Sequence, residues 1–324
     1  MTTLPMRLLI LGAAFFGCAL GASEDVGIQL QRMLSSHPDA DADGDGALTE
    51  DEAAAYIFKT RQRGRMNRGP GIRDRALIDA YEPRLHGLMP YRLMKPLHIE
   101  PGKRYPLIIS LHGSGGVGDD NLSNLRFWNG VMARPEWRRK YPSFVLVPQR
   151  RPGGIWGPKP DVPGTEDLFV RDDLPQTFEI VELLQREFPI DADRIYALGS
   201  SGGGAGTWNI VAARPDVIAG AIPVCGRFNP ADASKLARVP IWVFHGDADP
   251  LVSVEFSRSA FAVLDEAGGD IKYTELREVK HPSWIQAFTY AGDDESKGYV
   301  TRLGSQASDP TLDVWEWLFA RRNR

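Results

Sequence analysis

The strongest constraint on the fold of this chain is a regular alternation of strand and helix patterns from Leu88 onward. Short runs of consecutive apolar residues, typical of strands buried on both faces, alternate with segments of helical period. Strand patterns cover residues 105–112, 144–149, 194–198, 218–224, 241–245 and 271–279, and helix patterns cover residues 174–188, 203–214, 254–267 and 312–321. This order predicts an α/β domain whose mainly parallel sheet carries helices on both faces.

One pentapeptide within this alternation, Gly199-Ser200-Ser201-Gly202-Gly203, indicates chemistry. It lies between a predicted strand and a predicted helix, which is the context that gives a G-x-S-x-G motif its meaning. The sharp turn strains the backbone of the central serine, and small neighbours provide the clearance. Ser200 is the competing nucleophile, but that frame needs a glycine at position 198, which is leucine. We therefore expect Ser201 to be the nucleophile.

A serine hydroxyl is a weak nucleophile at neutral pH and needs an imidazole to remove its proton. In enzymes that carry the serine on such a turn, an acid and then a histidine follow it along the chain. Of the six histidines, only His281 follows a plausible acid. The acid is expected in the loop after strand pattern 241–245, where Asp249 is the first choice and Asp247 the alternative. Its role is to fix the tautomer of the imidazole.

An oxyanion hole needs two N–H donors near the serine. The first expected donor is the N–H of Gly202, directly after the nucleophile. The second is expected in the His-Gly-Ser-Gly-Gly loop at 112–116, where Ser114 is the first candidate and Gly115 the next.

Three tryptophans lie in or beside loops that are suited to line a substrate pocket: Trp128, Trp156 and Trp284. Aromatic walls suit a sugar or phenolic ester, although tryptophans that fill core space give the same pattern.

An acidic stretch near the N-terminus, Asp41–Glu52, has the twelve-residue spacing of an EF-hand calcium loop. The expected ligands are the side chains of Asp41, Asp43, Asp45 and Glu52 and the carbonyl of Ala47, with the turn glycine at Gly46. A second frame starts at Asp39, but it places Gly46 instead of Leu48 at the apolar eighth position. Helical patterns on both sides predict one structural calcium module over residues 23–62, and Mg²⁺ fits less well because it prefers octahedral sites with more water.

The N-terminal residues have the pattern of an export signal. The apolar run from Leu8 to Leu20 is too short to span a membrane, and small residues predict cleavage near Gly21 or Ala22. We therefore expect a signal peptide over 1–22 and a secreted or periplasmic protein. Cleavage also removes Cys18 and leaves Cys225 as the single cysteine, so no internal disulfide is expected.

The remaining segments complete the predicted organisation. Residues 63–86 are rich in arginine and glycine and are expected to form a linker, followed by the α/β domain over 87–324. The formal net charge of the 324 residues is −4, which gives no electrostatic footprint for nucleic acid.

Four segments together resemble the secreted carboxylesterase branch of the α/β-hydrolase superfamily. They are Leu-His-Gly-Ser-Gly-Gly at 111–116, the pentapeptide at 199–203, His-Gly-Asp-Ala-Asp-Pro-Leu-Val at 245–252 and His-Pro-Ser-Trp at 281–284. The resemblance covers about Leu88 to the C-terminus and is closest to polyhydroxybutyrate-depolymerase-like, feruloyl-esterase-like and prolyl-oligopeptidase-like hydrolases. It implies that the second aspartate of the 245–252 segment is catalytic, which supports Asp249. Gly202 and Pro282 depart from the usual residues of these relatives.

The expected function is hydrolysis of a small-molecule or polymer-linked carboxylic ester by a Ser-His-Asp triad, without a cofactor for catalysis. Two alternatives are a serine peptidase of the prolyl-oligopeptidase type and a non-catalytic, calcium-dependent binding protein on a hydrolase scaffold.

Overall fold

The computed structural model describes residues 26–53, 55–56, 71–158, 170–306 and 309–323. The expected signal peptide and the first part of the expected linker, up to residue 70, lie outside these ranges. Across the described ranges, no helix has the length and apolar character needed to cross a membrane.

The described part of the chain contains a nine-stranded sheet in the order β1-β2-β4-β3-β7-β8-β9-β10-β11. Its strands are β1 Tyr81–His86, β2 Met89–Met94, β3 Tyr105–Leu111, β4 Phe144–Pro148, β7 Ile190–Ser200, β8 Ile218–Val224, β9 Ile241–Gly246, β10 Ile271–Leu276 and β11 Tyr299–Leu303. The six strands from β4 to β10 run parallel, whereas the pairs β1–β2, β2–β4 and β10–β11 are antiparallel. The predicted, mainly parallel sheet is therefore confirmed. A separate two-stranded sheet pairs β5 Gly154–Ile155 with β6 Arg171–Asp172.

Helices cover the sheet and create a hydrophobic core on each face. The helices of this domain are α3 Arg75–Asp79, α4 Phe127–Ala133, α5 Pro135–Lys140, α6 Leu174–Glu187, α7 Gly202–Ala213, α8 Ala233–Leu236, α9 Glu255–Glu266, α10 Trp284–Ala287 and α11 Val314–Phe319. Every residue of β3 is buried, because its alternating side chains enter opposite cores. One face of α6, with Ile180, Val181 and Leu184, packs into the core that also contains Leu107.

The expected boundary between linker and hydrolase domain, at residue 87, falls inside the sheet and needs correction. Strand β1 pairs along its whole length with β2, although it lies within the segment expected to be linker. Upstream of β1, Ile72 is buried in the core on the opposite face of the sheet from Leu107. The N–H of Gly71 donates to the carbonyl of Leu125 at 2.9 Å. The described part of the expected linker therefore belongs to the large domain.

The N-terminal residues form a small helix–loop–helix unit with its own core. Helix α1 spans Val26–Ser36, and helix α2 begins at Glu50 and is described at residues 50–53 and 55–56. The buried side chains of this unit are Met33, Ala40, Leu48 and Ala53. The unit contacts the large domain through an ion pair between Asp51 and Arg151.

Candidate active site

Ser201 occupies the turn between strand β7 and helix α7, as the pentapeptide predicted. Its backbone has φ 57° and ψ −120°, a conformation that L-residues rarely adopt. A hydrogen bond of 2.9 Å from its N–H to the carbonyl of Val224, at the end of β8, holds the turn. The Ser201 side chain is partly exposed, whereas Ser200 is only 3% exposed. The exposed hydroxyl therefore belongs to Ser201.

Two glycines allow the turn to pack closely against β3. A Cβ atom at position 203 would lie 2.0 Å from the carbonyl oxygen of Leu111, far inside a van der Waals contact. A Cβ atom at position 199 would lie 2.5 Å from the same oxygen. These close approaches explain why the motif needs glycine on both sides of the serine.

His281 and Asp249 complete a hydrogen-bonded chain with the serine. Nε2 of His281 lies 3.0 Å from Oγ of Ser201, and Nδ1 lies 2.7 Å from Oδ2 of Asp249. Asp249 follows strand β9 and His281 follows β10, so parallel neighbouring strands deliver both groups to the carboxyl edge of the sheet. The structure thus brings together the three residues that the sequence singled out as nucleophile, base and acid. The alternative acid, Asp247, instead accepts a hydrogen bond from the N–H of Glu278.

The carboxylate of Asp249 is buried but extensively hydrogen-bonded. Burial alone would raise its pKa, but hydrogen bonds from His245, His281 and the backbone outweigh burial and hold the pKa well below its usual range. The N–H groups of Leu251 and Val252 donate to Oδ1 at 2.8 and 3.0 Å. The acid is therefore ionised at neutral pH and can orient the imidazole of His281.

His245 contacts the carboxylate of Asp249 and helps to position it, a role that the sequence analysis did not assign. Its Nε2 lies 3.3 Å from Oδ2 of Asp249 and 3.0 Å from the carbonyl of Val252, and its Nδ1 lies 2.7 Å from Oγ of Ser257. These contacts fix the ring of His245 on one side of the carboxylate. Its position four residues before Asp249 was the available sequence signal.

Cys225 lies next to Asp249 and His281, with its Sγ within 4.8 Å of a side-chain oxygen or nitrogen of each. It follows β8, has a φ of 42°, and places Sγ 3.5 Å from the carbonyl oxygen of His281. Burial raises the pKa of its thiol to about 12, so the group stays protonated and unreactive. This buried position at the end of β8 is that of a side chain that packs in the core.

The 112–116 loop, which contains the expected second oxyanion donor, lies against Ser201. A Cβ atom at position 113 would lie 3.1 Å from Cβ of Ser201 and 3.6 Å from the nitrogen of Gly202. Ser114 begins a short 3₁₀ turn, Ser114–Gly116, on this side of the serine. The expected donor residues, Gly202 at the start of helix α7 and Ser114 in the 112–116 loop, are therefore neighbours in space.

His112 fixes this loop from inside the domain. Its Nδ1 contacts the carbonyl of Gly113 at 2.7 Å, and its Nε2 accepts a hydrogen bond from the N–H of Arg150 at 3.0 Å. Complete burial, followed by the positive charge of Arg150, lowers the pKa of His112 well below its ordinary value. A neutral ring with a proton on Nδ1 satisfies both contacts.

The three tryptophans fall into two groups. Trp128 is 1% exposed, donates to Oγ of Ser110 and packs on Phe288, so its expected role in substrate binding is wrong and it fills core space. Trp156 is 2% exposed and donates to the carbonyl of His112 at 2.9 Å, so it supports the loop and does not form an open wall. Trp284 is partly exposed, and its ring lies edge-on to the imidazole of His281 with centroids 5.6 Å apart. Among these three, Trp284 remains the candidate for substrate contact.

The acidic N-terminal loop gathers carboxylates at one point. One oxygen from each of Asp41, Asp43 and Asp45 lies within 4.8 Å of the other two. The carboxylate of Glu52 folds back across the loop and accepts hydrogen bonds from the N–H groups of Ala42 and Thr49, both at 3.0 Å. Gly46 has a φ of 83°, as the sixth position of a calcium loop requires. These hard oxygen donors fit Ca²⁺ in charge and type.

Comparison with known proteins relates the chain to esterases. No protein-family model matches it. The chain is 28% identical over 210 residues to the candidate esterase NocK of Nocardia uniformis subsp. tsuyamanensis, a match that covers 62% of this chain and 57% of NocK. It is 30% identical over 161 residues to the bifunctional acetylxylan esterase/xylanase XynS20E of Neocallimastix patriciarum, covering 49% of this chain and 21% of that protein.

A solved structure gives the same relationship. The crystal structure of a thermostable esterase superposes with a TM-score of 0.61 at 31% identity and covers 76% of this chain and 64% of that one. The chain therefore spans less than two thirds of NocK and of this esterase. Sheet order and superposition agree with the α/β-hydrolase fold.

Proposed function

We propose that this protein is a serine hydrolase that cleaves carboxylic esters through an acyl-enzyme. The observation that carries the proposal is the continuous hydrogen-bonded chain from Ser201 to His281 to Asp249, with the serine on a strained strand–helix turn. Similarity to a thermostable esterase at 31% identity favours an ester over a peptide bond as the substrate.

In the proposed reaction, Oγ of Ser201 attacks the ester carbonyl carbon while Nε2 of His281 takes the hydroxyl proton. The carbonyl oxygen becomes an oxyanion beside the N–H groups of Gly202 and Ser114. His281 then gives its proton to the alcohol oxygen as the carbon–oxygen bond breaks, and the acyl group stays on the serine. Water repeats the sequence and releases the carboxylic acid. Asp249 remains ionised throughout and holds the imidazole in the correct tautomer.

Exposed aromatic surface near the base bears on the substrate class. Trp284 offers a partly exposed ring beside His281, and such a surface suits a sugar or phenolic ester. The name of the fungal relative includes acetylxylan esterase, which makes acetylated sugars one class to assay. We propose small-molecule or polymer-linked esters as substrates.

The proposal is tested by replacing each serine of the motif. Ser201→Ala and His281→Ala should each reduce hydrolysis of a small aryl ester by about 10⁴–10⁶-fold, because triad members act as a unit. Ser200→Ala is the matched control and should retain most activity, since its side chain is buried. Steady-state assays on aryl, acetyl-sugar and hydroxyalkanoate esters make the comparison. An inactive Ser200→Ala beside an active Ser201→Ala would overturn the assignment.

We propose in addition that the N-terminal unit binds one structural Ca²⁺ through Asp41, Asp43, Asp45, the carbonyl of Ala47 and Glu52. The convergence of three aspartate oxygens within 4.8 Å supports this proposal, because such a cluster is repulsive without a cation. The metal would order the loop between α1 and α2 and take no part in ester hydrolysis.

Export is the third part of the proposal. The apolar run from Leu8 to Leu20 and the small residues after it support cleavage near Gly21 or Ala22. The intact mass of the protein recovered outside the cytoplasm should match a chain that begins at one of these residues. An exported chain that retained Met1 would contradict the predicted cleavage.

A further inference from the structure

One buried cation lies beside the proposed oxyanion hole, and the mechanism above does not use it. Arg150 follows strand β4 and is only 6% exposed. Its Nη1 lies 3.4 Å from the carbonyl of Gly154, and its guanidinium lies 5.4 Å from the ring centroid of Trp156. A buried arginine keeps its charge, because its pKa is too high for deprotonation in a protein.

The guanidinium lies directly beside the position that a Cβ atom at residue 202 would take. A Cβ atom built on Gly202 would lie 3.2 Å from Nη2 of Arg150 and 3.8 Å from the backbone nitrogen of Ser114. The cation therefore borders the same small volume as the two expected oxyanion donors. A side chain larger than alanine at position 202 would extend from this Cβ position toward the guanidinium.

The backbone of Arg150 is tied into the oxyanion loop as well. Its N–H donates to Nε2 of His112, and its carbonyl accepts from the N–H of Gly118 at 3.0 Å. The backbone of Arg150 is thus fixed by its place just after strand β4 and by hydrogen bonds to His112 and Gly118, which lie on either side of Ser114 in the chain. Such preorganised charge needs no rearrangement when an oxyanion forms, which is the condition for strong electrostatic catalysis.

Building on the proposed ester hydrolysis, we propose that Arg150 is a third and positively charged donor of the oxyanion hole. As Ser201 attacks, the carbonyl π electrons move to oxygen, and an N–H of the guanidinium donates to the resulting anion beside Gly202 and Ser114. No proton is transferred from Arg150, and the charge interaction relaxes when the carbonyl re-forms. Because the guanidinium only donates hydrogen bonds, it favours the charged transition state over the neutral ester.

Removal of the guanidinium is the first part of the test. Arg150→Met keeps the apolar stem and should lower kcat on a small neutral ester by about 10²–10³-fold, the usual effect of losing one oxyanion donor. KM should change little, because the interaction forms only in the transition state. Arg150→Lys keeps the charge on a shorter head and should lose less. Arg151→Gln is the matched control, since it removes the neighbouring charge, which pairs with Asp51 at the N-terminal unit.

Binding of a tetrahedral mimic provides a second readout that a purely structural role would not move. An arylboronic acid forms an adduct on the serine that places an oxygen in the hole. Its inhibition constant should rise for Arg150→Met by about the same factor as kcat falls, whereas the melting temperature should stay close to that of the parent.

A double-mutant cycle with Gly202 gives a third readout, and its Gly202→Ala arm in the parent protein, together with Arg150→Lys, keeps the proposal testable even if Arg150→Met unfolds. Gly202→Ala places a Cβ atom 3.2 Å from Nη2, so the guanidinium should shift by a few tenths of an ångström and kcat of the parent protein should fall about two-fold or more. The same change should cost much less on the Arg150→Met background, where the space is already free. Additive effects of the two changes would contradict the proposal.

Three results would overturn the inference while Ser201-dependent hydrolysis is retained. The first is an Arg150→Met enzyme with unchanged kcat. The second is equal loss in the Arg151→Gln control. The third is a loss confined to esters that carry a carboxylate, which would assign Arg150 to substrate recognition. If the parent enzyme shows no Ser201-dependent hydrolysis, the proposed function itself fails.

Discussion

At position 249 a carboxylate without exposed surface is kept ionised by its immediate neighbours. Oδ2 faces His281 and His245, and Oδ1 receives the two N–H groups of Leu251 and Val252. Such hydrogen bonds favour the charged form enough to overcome the cost of burial. The acid of the proposed triad is therefore set by a local hydrogen-bond network as well as by its place in the chain.

Replacement of the acid should cost activity through the imidazole. Asp249→Asn is expected to lower kcat by about 10⁴-fold, because the amide stabilises the wrong tautomer of His281. Asp247→Asn is the matched control, since Asp247 accepts from Glu278 and can still accept as asparagine. Steady-state assays with melting curves make the comparison, and the reverse ranking would move the acid role to Asp247.

The same carboxylate predicts a pH dependence of stability. A carboxyl group whose folded pKa is held low stabilises the fold fully above its unfolded pKa, near 4, and this contribution is lost as the pH falls toward the folded value. The unfolding free energy of the parent should therefore exceed that of Asp249→Asn at pH 6, and the difference should shrink below about pH 4. Denaturant titrations at both pH values measure it. A difference independent of pH would show that the carboxylate is not ionised in the folded state.

At this scale, chain order and motif context were enough to single out Ser201, His281 and Asp249. Arg150, His112 and His245 were missed, because their contacts join segments far apart in sequence or act on a neighbour's carboxylate. The predicted substrate-binding role of Trp128 was wrong for a related reason. A tryptophan beside a loop gives the same sequence pattern whether its ring faces solvent or packs on a core residue such as Phe288.

Among the elements, the buried strands were predicted far better than the edge strands. Central strands such as β3 read as continuous apolar runs. Strand β1 contains Pro83 and has Tyr81 as its one buried residue, and strand β11 has no buried residue, so both have the weak pattern of edge strands. Because strand β1 was not predicted, the expected linker extended to residue 86 and included it.

The acidic loop between α1 and α2 yields a prediction at the scale of the element. Ca²⁺ should raise the melting temperature of the N-terminal unit, because a ligand that binds only the folded form stabilises it by mass action. Glu52→Gln should weaken binding by removing the charged ligand at loop position 12. Titration calorimetry measures uptake, and Glu50→Gln is the matched control, because Glu50 is a ligand, at position 12, only in the frame that starts at Asp39. Absence of calcium uptake by the mature protein would contradict the metal site.

At the scale of the whole molecule, the N-terminal unit and the large domain are joined in the described residues by the surface ion pair of Asp51 and Arg151. A single ion pair at the surface, even with the arginine partly covered, contributes about 1 kcal/mol. Chelation of calcium should therefore leave hydrolysis of a small soluble ester largely unchanged, even though Arg151 is next to Arg150. A chelator that abolished hydrolysis in a folded enzyme would show that the two units are coupled.

The central claim is that Ser201 is the nucleophile of an ester hydrolase, and covalent labelling tests it most directly. A fluorophosphonate should add once to the intact parent protein, and peptide mass spectrometry should locate the adduct on Ser201. Labelling should disappear in Ser201→Ala and slow strongly in His281→Ala, because the imidazole activates the hydroxyl. A folded parent protein that takes up no label, or carries it on Ser200, would contradict the account.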